Sequence, residues 1–183
     1  GFVSQLLWIN LGTLTSFLLL IGIFSNSDRD FHERMKVETL VLNKQYEAAL
    51  SNIKRMRNVD SATTMLTIYC VARTGHLPDS LYEYRLIGGK DVLYPGKVHS
   101  VFLPDSVIKK ATSNSVHYQL NEYLLDRNLP TFKKLVQKYY PVDSLRPRYY
   151  AEAYKLYTLL SKGMKPKPPY PKGSYTSYYF SVR

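Results

Sequence analysis

The side chains best suited to metal or nucleophilic chemistry are four histidines and one cysteine. His32, His76, His99 and His117 stand far apart, and no two of them have the spacing of metal ligands. Cys70 falls on the apolar face of a predicted helix, so we expect a buried and unreactive thiol. Because the sequence also lacks a Gly-x-Ser-x-Gly motif and a P-loop, it predicts no catalytic residue, no metal site and no cofactor.

The first element of the chain is an uncharged stretch from Phe2 to Phe24, and the first charged residue is Asp28. As a helix, its 23 residues at about 1.5 Å each extend roughly 35 Å, enough to cross a hydrocarbon core of about 30 Å. The sequence therefore predicts a transmembrane helix over residues 2–24. A buried core helix is the alternative, whereas a signal peptide would need a basic segment before a shorter apolar core.

The residues that flank this stretch do not determine on which side of the membrane the rest of the chain lies. Arg29, Arg34 and Lys36 follow it closely, and the positive-inside rule then favours a cytoplasmic location for the rest of the chain. Asp28 and other acidic residues are interleaved with them, however, and long domains cross membranes largely regardless of charge. Because the span starts without polar flanking residues, we expect the chain to be the C-terminal piece of a longer protein with further spans.

All 25 Lys and Arg and all 14 Asp and Glu residues follow the uncharged stretch, so the remainder carries the full formal charge of +11. Its basic clusters and its 17 tyrosines are candidate contacts for a protein partner, because aromatic and arginine side chains dominate binding hot spots. Basic residues near a bilayer also attract anionic lipid headgroups. Nucleic-acid binding is not expected, since no recognised nucleic-acid module is present. The candidate contact residues are Lys54, Arg55 and Arg57 in one basic cluster, Arg146 and Arg148 in another, and the tyrosines Tyr149, Tyr175, Tyr178 and Tyr179.

Apolar residues recur at helical spacing through residues 28–163, which predicts an all-α domain. Short turns between successive helices indicate antiparallel pairs. The predicted helices cover residues 29–42, 45–57, 61–73, 78–86, 104–111, 114–124, 131–139 and 147–162.

Two segments depart from this helical pattern. Residues 87–103 contain the turn-forming sequences Gly88-Gly89 and Tyr94-Pro95-Gly96, and we expect them to form an irregular surface insertion. Residues 164–183 form a tail rich in proline, lysine and tyrosine. Its first part is expected to be extended and solvated, and its aromatic end to dock either on the domain or on a partner.

Short phrases within the helices carry a resemblance to known proteins. Residues 43–50 (NKQYEAAL) resemble the turn between the two helices of a tetratricopeptide repeat, and Gln45 and Pro78 begin predicted helices about one such repeat apart. The order of features is similar to an uncharacterised family of bacterial inner-membrane proteins with several N-terminal spans and a C-terminal tetratricopeptide-like domain. The resemblance implies that fold and a bacterial inner-membrane location, and it implies no catalytic residues. The matching segments after the span are residues 30–33, 46–50, 72–77 and 149–153.

The sequence supports two functions from different classes. The first is a membrane-anchored helical-repeat module, without catalysis of its own, that binds a protein in the membrane or at its surface. The alternative is the soluble tail of a multi-pass membrane enzyme or transporter whose active site lies in spans upstream of this chain. A third hypothesis, nucleic-acid binding at the membrane, predicts steeply salt-dependent binding to oligonucleotides.

Overall fold

A computed structural model describes residues 1–25, 29–94 and 96–181 of the chain. Every secondary-structure element in these residues is a helix, so the predicted all-α fold is confirmed. The α-helices are α1 (Phe2–Ser25), α2 (Arg29–Leu42), α3 (Tyr46–Arg55), α4 (Ser61–Arg73), α5 (Leu77–Ser80), α6 (Asp105–Thr112), α7 (Val116–Leu125), α8 (Leu129–Tyr139), α9 (Arg148–Ser161) and α10 (Tyr175–Phe180).

Helix α1 stands apart from the rest of the chain. Its apolar window Phe2–Gly22 is long enough to cross a membrane, and none of it is buried against the domain. The hydroxyls of Thr13 and Thr15 donate to carbonyl oxygens four residues earlier, each at 2.8 Å, so these polar groups are satisfied within the helix. One helix of this kind meets the length and composition of either a membrane span or a signal sequence.

Helices α2, α4, α7 and α9 all end in the same left-handed turn. Lys44, Gly75, Arg127 and Gly163 have φ values of 58°, 79°, 59° and 72°. The N–H of each bonds to the carbonyl oxygen three residues earlier, and the next N–H bonds to the oxygen five residues before it, at 2.8–3.1 Å. These bonds satisfy carbonyls that a helix end leaves free. The turns reverse the chain, so α2 packs on α3 and α7 packs on α8.

Helix α4 lies at the centre of the domain, because every residue from 62 to 71 is buried. Its N-cap is Asp60, which accepts hydrogen bonds from the N–H of Thr63 (2.7 Å) and from its hydroxyl (2.6 Å). The sequence indicated that α4 has a single apolar face, but the opposite face, which carries its threonines, is buried as well. Thr64 is fully buried there, and its hydroxyl accepts from the N–H of Ile87 (3.1 Å).

The helix predicted over residues 78–86 is much shorter than expected. One turn, α5, is followed by a 3₁₀ segment, Leu81–Glu83. Both Leu81 and Tyr82 are buried, and Asp79 accepts a hydrogen bond from the N–H of Arg148 at the start of α9 (2.9 Å). Contacts with α4, α7 and α9 therefore fix this segment, and they outweigh its local helical pattern.

Residues 87–103 are irregular and mostly exposed, as predicted, but part of the segment packs into the domain. A 3₁₀ segment, Gly89–Leu93, packs on α4 and α7, and Val92 and Leu103 are buried. The carboxylate of Glu38, fully buried on α2, accepts from the N–H of Val101 (3.0 Å), the N–H of Phe102 (3.4 Å) and the Ser100 hydroxyl. An acidic side chain thus fastens the loop to α2, because its buried oxygens require donors.

The tail docks on the domain through its aromatic end. Helix α10 packs on α9, and Tyr175 is fully buried. The lysines and prolines from 165 to 169 contain no helix and are largely exposed, in line with the predicted solvated segment. Residues 182–183 lie outside the described residues.

Gly88 provides a test of how closely the loop of residues 87–103 packs on the domain. Its φ is +89°, and a Cβ there would lie 2.7 Å from both Ser61 Oγ and Val92 Cγ1, whereas Gly75, with φ +79°, has nothing within 4 Å. We expect Gly75→Ala to cost about 1 kcal/mol of unfolding free energy for its backbone conformation alone, and Gly88→Ala to cost about 2–4 kcal/mol because it also overpacks. Urea unfolding in detergent micelles, followed by circular dichroism, measures both. Equal losses in the two variants would contradict close packing at Gly88.

Candidate functional site

Arg146, one of the predicted contact residues, does not form part of a free surface. Its side chain is 1% exposed, and its guanidinium carbon lies 3.9 Å from the ring centre of Tyr154. Nε donates to the carbonyl oxygen of Tyr140 (2.9 Å), and Nη1 pairs with Asp143. The prediction of a partner contact at Arg146 is therefore wrong, because stacking and hydrogen bonding place this cation within the fold.

Arg148 remains partly exposed, but its charge is shared among residues of the same chain. Nη1 lies 3.3 Å from Glu83, Nε lies 3.2 Å from Glu152, and Nη2 donates to the carbonyl oxygen of Gly173 (3.3 Å). These bonds join α9 to the 3₁₀ segment Leu81–Glu83 and to the tail. The two arginines predicted as one basic cluster thus hold the C-terminal half of the domain together.

The four predicted contact tyrosines also serve the fold. Tyr149 and Tyr175 are fully buried, so neither is a surface contact, and Tyr178 and Tyr179 are half-buried beside them. The Tyr175 hydroxyl donates to the carbonyl oxygen of Leu124 (3.0 Å), and Tyr178 does the same to Leu125 (3.0 Å). Burial raises the pKa of Tyr149 to about 12. The sequence predicted these aromatic residues to be partner contacts, whereas in the structure they attach the tail to the domain.

A buried polar network surrounds Tyr150 on the other side of α9. The Tyr150 hydroxyl lies 2.9 Å from Nδ1 of His117, and Asn121 Nδ2 donates to it (3.3 Å) and to the His117 carbonyl oxygen (2.8 Å). The Tyr82 hydroxyl donates to Asn121 Oδ1 (3.4 Å). Burial lowers the pKa of His117, which favours its neutral ring. The network links α7, α9 and Tyr82, and His117 at its edge is only part-buried and lines a small cavity beside α5.

The remaining candidates for chemistry lie apart in space. His99 pairs with Asp105 (3.0 Å), and the His32 ring packs edge-on against Phe31. Cys70 is fully buried, and burial raises the pKa of its thiol to about 12, so it is protonated at neutral pH. Among the described residues, no group of three or more His, Cys, Asp or Glu side chains is placed to hold a metal ion.

A cavity of about 410 Å³ lies between residues 86–91 and the end of α7, against the tail. Its charged residues are already engaged. Lys90 pairs with Asp126 (3.1 Å), and Nη2 of Arg127 donates to the carbonyl oxygens of Tyr178 (3.1 Å) and Ser181 (2.9 Å). Arg127 has no acidic partner among the described residues, and its buried Nε has no hydrogen-bond partner there, so its positive charge is not compensated.

The other predicted basic cluster, on α3, lies where the domain meets α1. Because α2 and α3 are antiparallel, the C-terminal end of α3 lies beside the N-terminal end of α2, as the bond from Asn58 to Asp30 (2.7 Å) shows. Lys54 pairs with Glu83 (3.6 Å). Arg55 and Arg57 are exposed, and neither forms an ion pair with the residues that the structure describes. Of the predicted contact residues, these two remain available to a partner.

Sequence reasoning missed a third arginine at this end. Nη1 of Arg85 donates to the carbonyl oxygen of Arg57 (2.7 Å), although 28 positions separate the two residues. No local pattern relates them, since the contact arises only when α4 and the segment after α5 fold against the end of α3. We call Arg55, Arg57 and Arg85 the basic rim, and it is the candidate functional site.

Comparison with protein-family models, with curated proteins and with solved structures finds no match to this chain. The class of protein is therefore defined by its architecture, an all-helical domain that follows one apolar helix of membrane-spanning length.

Arg146 and Arg148 are expected to differ sharply in their contribution to stability. Arg146→Met leaves the Tyr140 carbonyl without its donor inside the fold, so it should cost about 1–3 kcal/mol of unfolding free energy. Arg148→Met removes part-exposed ion pairs and should cost below about 1 kcal/mol. Chemical unfolding of both variants measures the difference. A larger loss for Arg148→Met would contradict the assignment of Arg146 as the structural arginine.

His117 should make the domain sensitive to mild acid. Its folded pKa is lowered below its unfolded value of about 6.5, so the unfolded chain binds more protons. Its contribution to stability is thus present above that unfolded value and is lost as the pH falls through the folded pKa. His117→Gln should flatten the decline in unfolding free energy in that interval, whereas His76→Gln at an exposed histidine should not. Identical pH profiles for the two variants would contradict this role.

Proposed function

We propose that this protein is a membrane-anchored helical module that binds a protein partner in the membrane or at its surface, without catalysis of its own. The observation that carries the proposal is α1, which has span length, carries no charged side chain and is not buried by the domain over its window Phe2–Gly22. An uncovered apolar helix of this length requires a lipid environment to bury its side chains. The resemblance to bacterial inner-membrane proteins supports a bacterial inner membrane as the location.

The polar side chains of α1 support a partner inside the bilayer. Thr13 and Thr15 bond back to the helix, but the amides of Gln5 and Asn10 make no hydrogen bond with the residues that the structure describes. Amide side chains in lipid gain from a partner on another helix. At about 100° per residue, Gln5 and Gly12 share one face, and a Cβ at Gly12 would meet no atom within 4 Å. That face is suited to close approach by a second membrane helix.

The same observation favours the second candidate function, the soluble tail of a multi-pass enzyme or transporter. In that case the helix packed against α1 belongs to the same polypeptide. The candidates differ in the location of the partner helix, since a separate protein can be recovered as a second chain and an intramolecular span cannot.

Gly12→Leu tests this face, with Gly22→Leu as the matched control. Both glycines lie on α1 with open space around them, but Gly22 is on a different face. A helix contact in lipid contributes about 1–2 kcal/mol, so Gly12→Leu should reduce the recovered partner about tenfold, and Gly22→Leu should leave recovery unchanged. The measurement is mild-detergent purification of the tagged full-length protein with quantitative mass spectrometry of bound proteins.

The outcomes of this experiment separate the proposals. A stoichiometric partner lost on Gly12→Leu supports the interaction module. Equal recovery of that partner from both variants contradicts contact through this face. Recovery of the protein alone contradicts a separate partner and favours the multi-pass candidate.

A further inference from the structure

We propose that the basic rim formed by Arg55, Arg57 and Arg85 binds the anionic headgroups of the bilayer that α1 crosses. The inference rests on the proposed function in one respect, that α1 is a membrane span. It adds a specific ligand class, phospholipid phosphate, and a specific surface of the domain.

The first step is the distance between the rim and the membrane. Helix α1 ends at Ser25 and α2 begins at Arg29. Whatever path residues 26–28 follow, Cα–Cα steps of about 3.8 Å limit the gap between the two helices to about 15 Å. The first turn of α2 is therefore held close to the membrane surface from which α1 emerges.

The second step is the position of the rim relative to that first turn. Arg29 and Arg55 line one hollow at the side of the α2–α3 pair, and Asp30 accepts the hydrogen bond from Asn58, the residue after Arg57. The C-terminal end of α3 thus lies at the level at which α2 begins. Since Arg85 is hydrogen-bonded to the carbonyl of Arg57, all three rim arginines lie at the membrane-proximal end.

The third step is the charge at this end of the domain. Arg29 pairs with Glu33 (3.0 Å), and Arg34 pairs with Asp60 (2.8 Å), so these cations are already compensated. The rim arginines are exposed and have no acidic partner among residues 1–25, 29–94 and 96–181. A bound anion offsets this uncompensated positive charge. Their planar N–H groups match phosphate oxygens in bidentate geometry.

The tether explains why a lipid headgroup is the ligand. A phosphate group at the surface beside α1 is held permanently near the rim, whereas a soluble anion must compete from dilute solution. Exposed charges interact strongly only within about 8 Å at physiological ionic strength. A nucleic acid would need a long basic surface, but the rim is confined to one end of the domain and the second predicted basic cluster is internally paired.

The test measures lipid selectivity of the full chain in detergent. The protein is titrated with phosphatidylglycerol or with zwitterionic phosphatidylcholine, and bound lipid is counted by native mass spectrometry. The rim variant is Arg55→Gln, Arg57→Gln and Arg85→Gln, which removes three charges and keeps an N–H donor at each position. The control, Lys134→Gln, Lys155→Gln and Lys162→Gln, removes three exposed charges from the α8–α9 region. Circular dichroism confirms that both variants are folded.

We expect the wild type to prefer phosphatidylglycerol over phosphatidylcholine. A basic residue near a membrane surface changes affinity about fivefold, so the rim variant should lose at least tenfold in this preference, and the control less than threefold. A rim variant with the wild-type preference would overturn the inference, as would equal losses in the two variants. Wild-type binding of an oligonucleotide without any lipid preference would also overturn it, in favour of nucleic acid.

Alkaline extraction of membranes that contain the full-length protein separates this inference from the proposed function. If the protein stays in the membrane but shows no preference for phosphatidylglycerol, the rim inference fails and the anchor stands. If alkali releases the protein, α1 is not a span, and both the proposed function and the rim inference fail.

Discussion

Two adjacent tyrosines at the start of α9, both fully buried, provide the constraint on which the C-terminal half of the domain depends. Neighbouring helical positions point about 100° apart, so burying both requires cover on two sides of the helix. Tyr149 contacts the ring of Tyr82, at 4.9 Å between centroids, and Tyr150 packs on Phe132 and on the hydrogen-bonded His117. Helix α9 therefore has to lie between α5, α8 and the tail.

The tail is part of this arrangement because α9 also supplies its polar attachments. Glu152 accepts from the N–H of Tyr175 (2.8 Å), and the Tyr149 hydroxyl donates to the carbonyl oxygen of Gly173 (3.0 Å). Arg148 binds the same carbonyl. Arg148, Tyr149 and Tyr175 are thus occupied in holding the C-terminal half together. The basic rim lies elsewhere in the domain, at the end where α2 begins.

At that end, the chain connection from α1 and the α2–α3 pair determine which surface of the domain lies near the membrane. The antiparallel α2–α3 pair brings Arg55 and Arg57 to the level at which α1 joins the domain. Buried Glu38 fixes the loop around residue 101 against α2, and Asp60 both caps α4 and pairs with Arg34. Acidic side chains near α1 therefore serve the fold and leave the basic rim uncompensated. This division of roles is consistent with a module that works at a membrane surface.

The sequence by itself determined the features that depend on local physics. The length of α1 follows from the absence of charge over residues 2–24, and Asp60 and Gly75 mark helix ends through their own backbone and side-chain chemistry. Only the tertiary structure decided whether each aromatic or basic side chain is buried or exposed. Arg146 and Tyr175 have the same local character as exposed contacts, and they are buried because distant segments supply their partners. Arg85 joins the candidate site for the same reason, since no local pattern reports a contact across 28 positions.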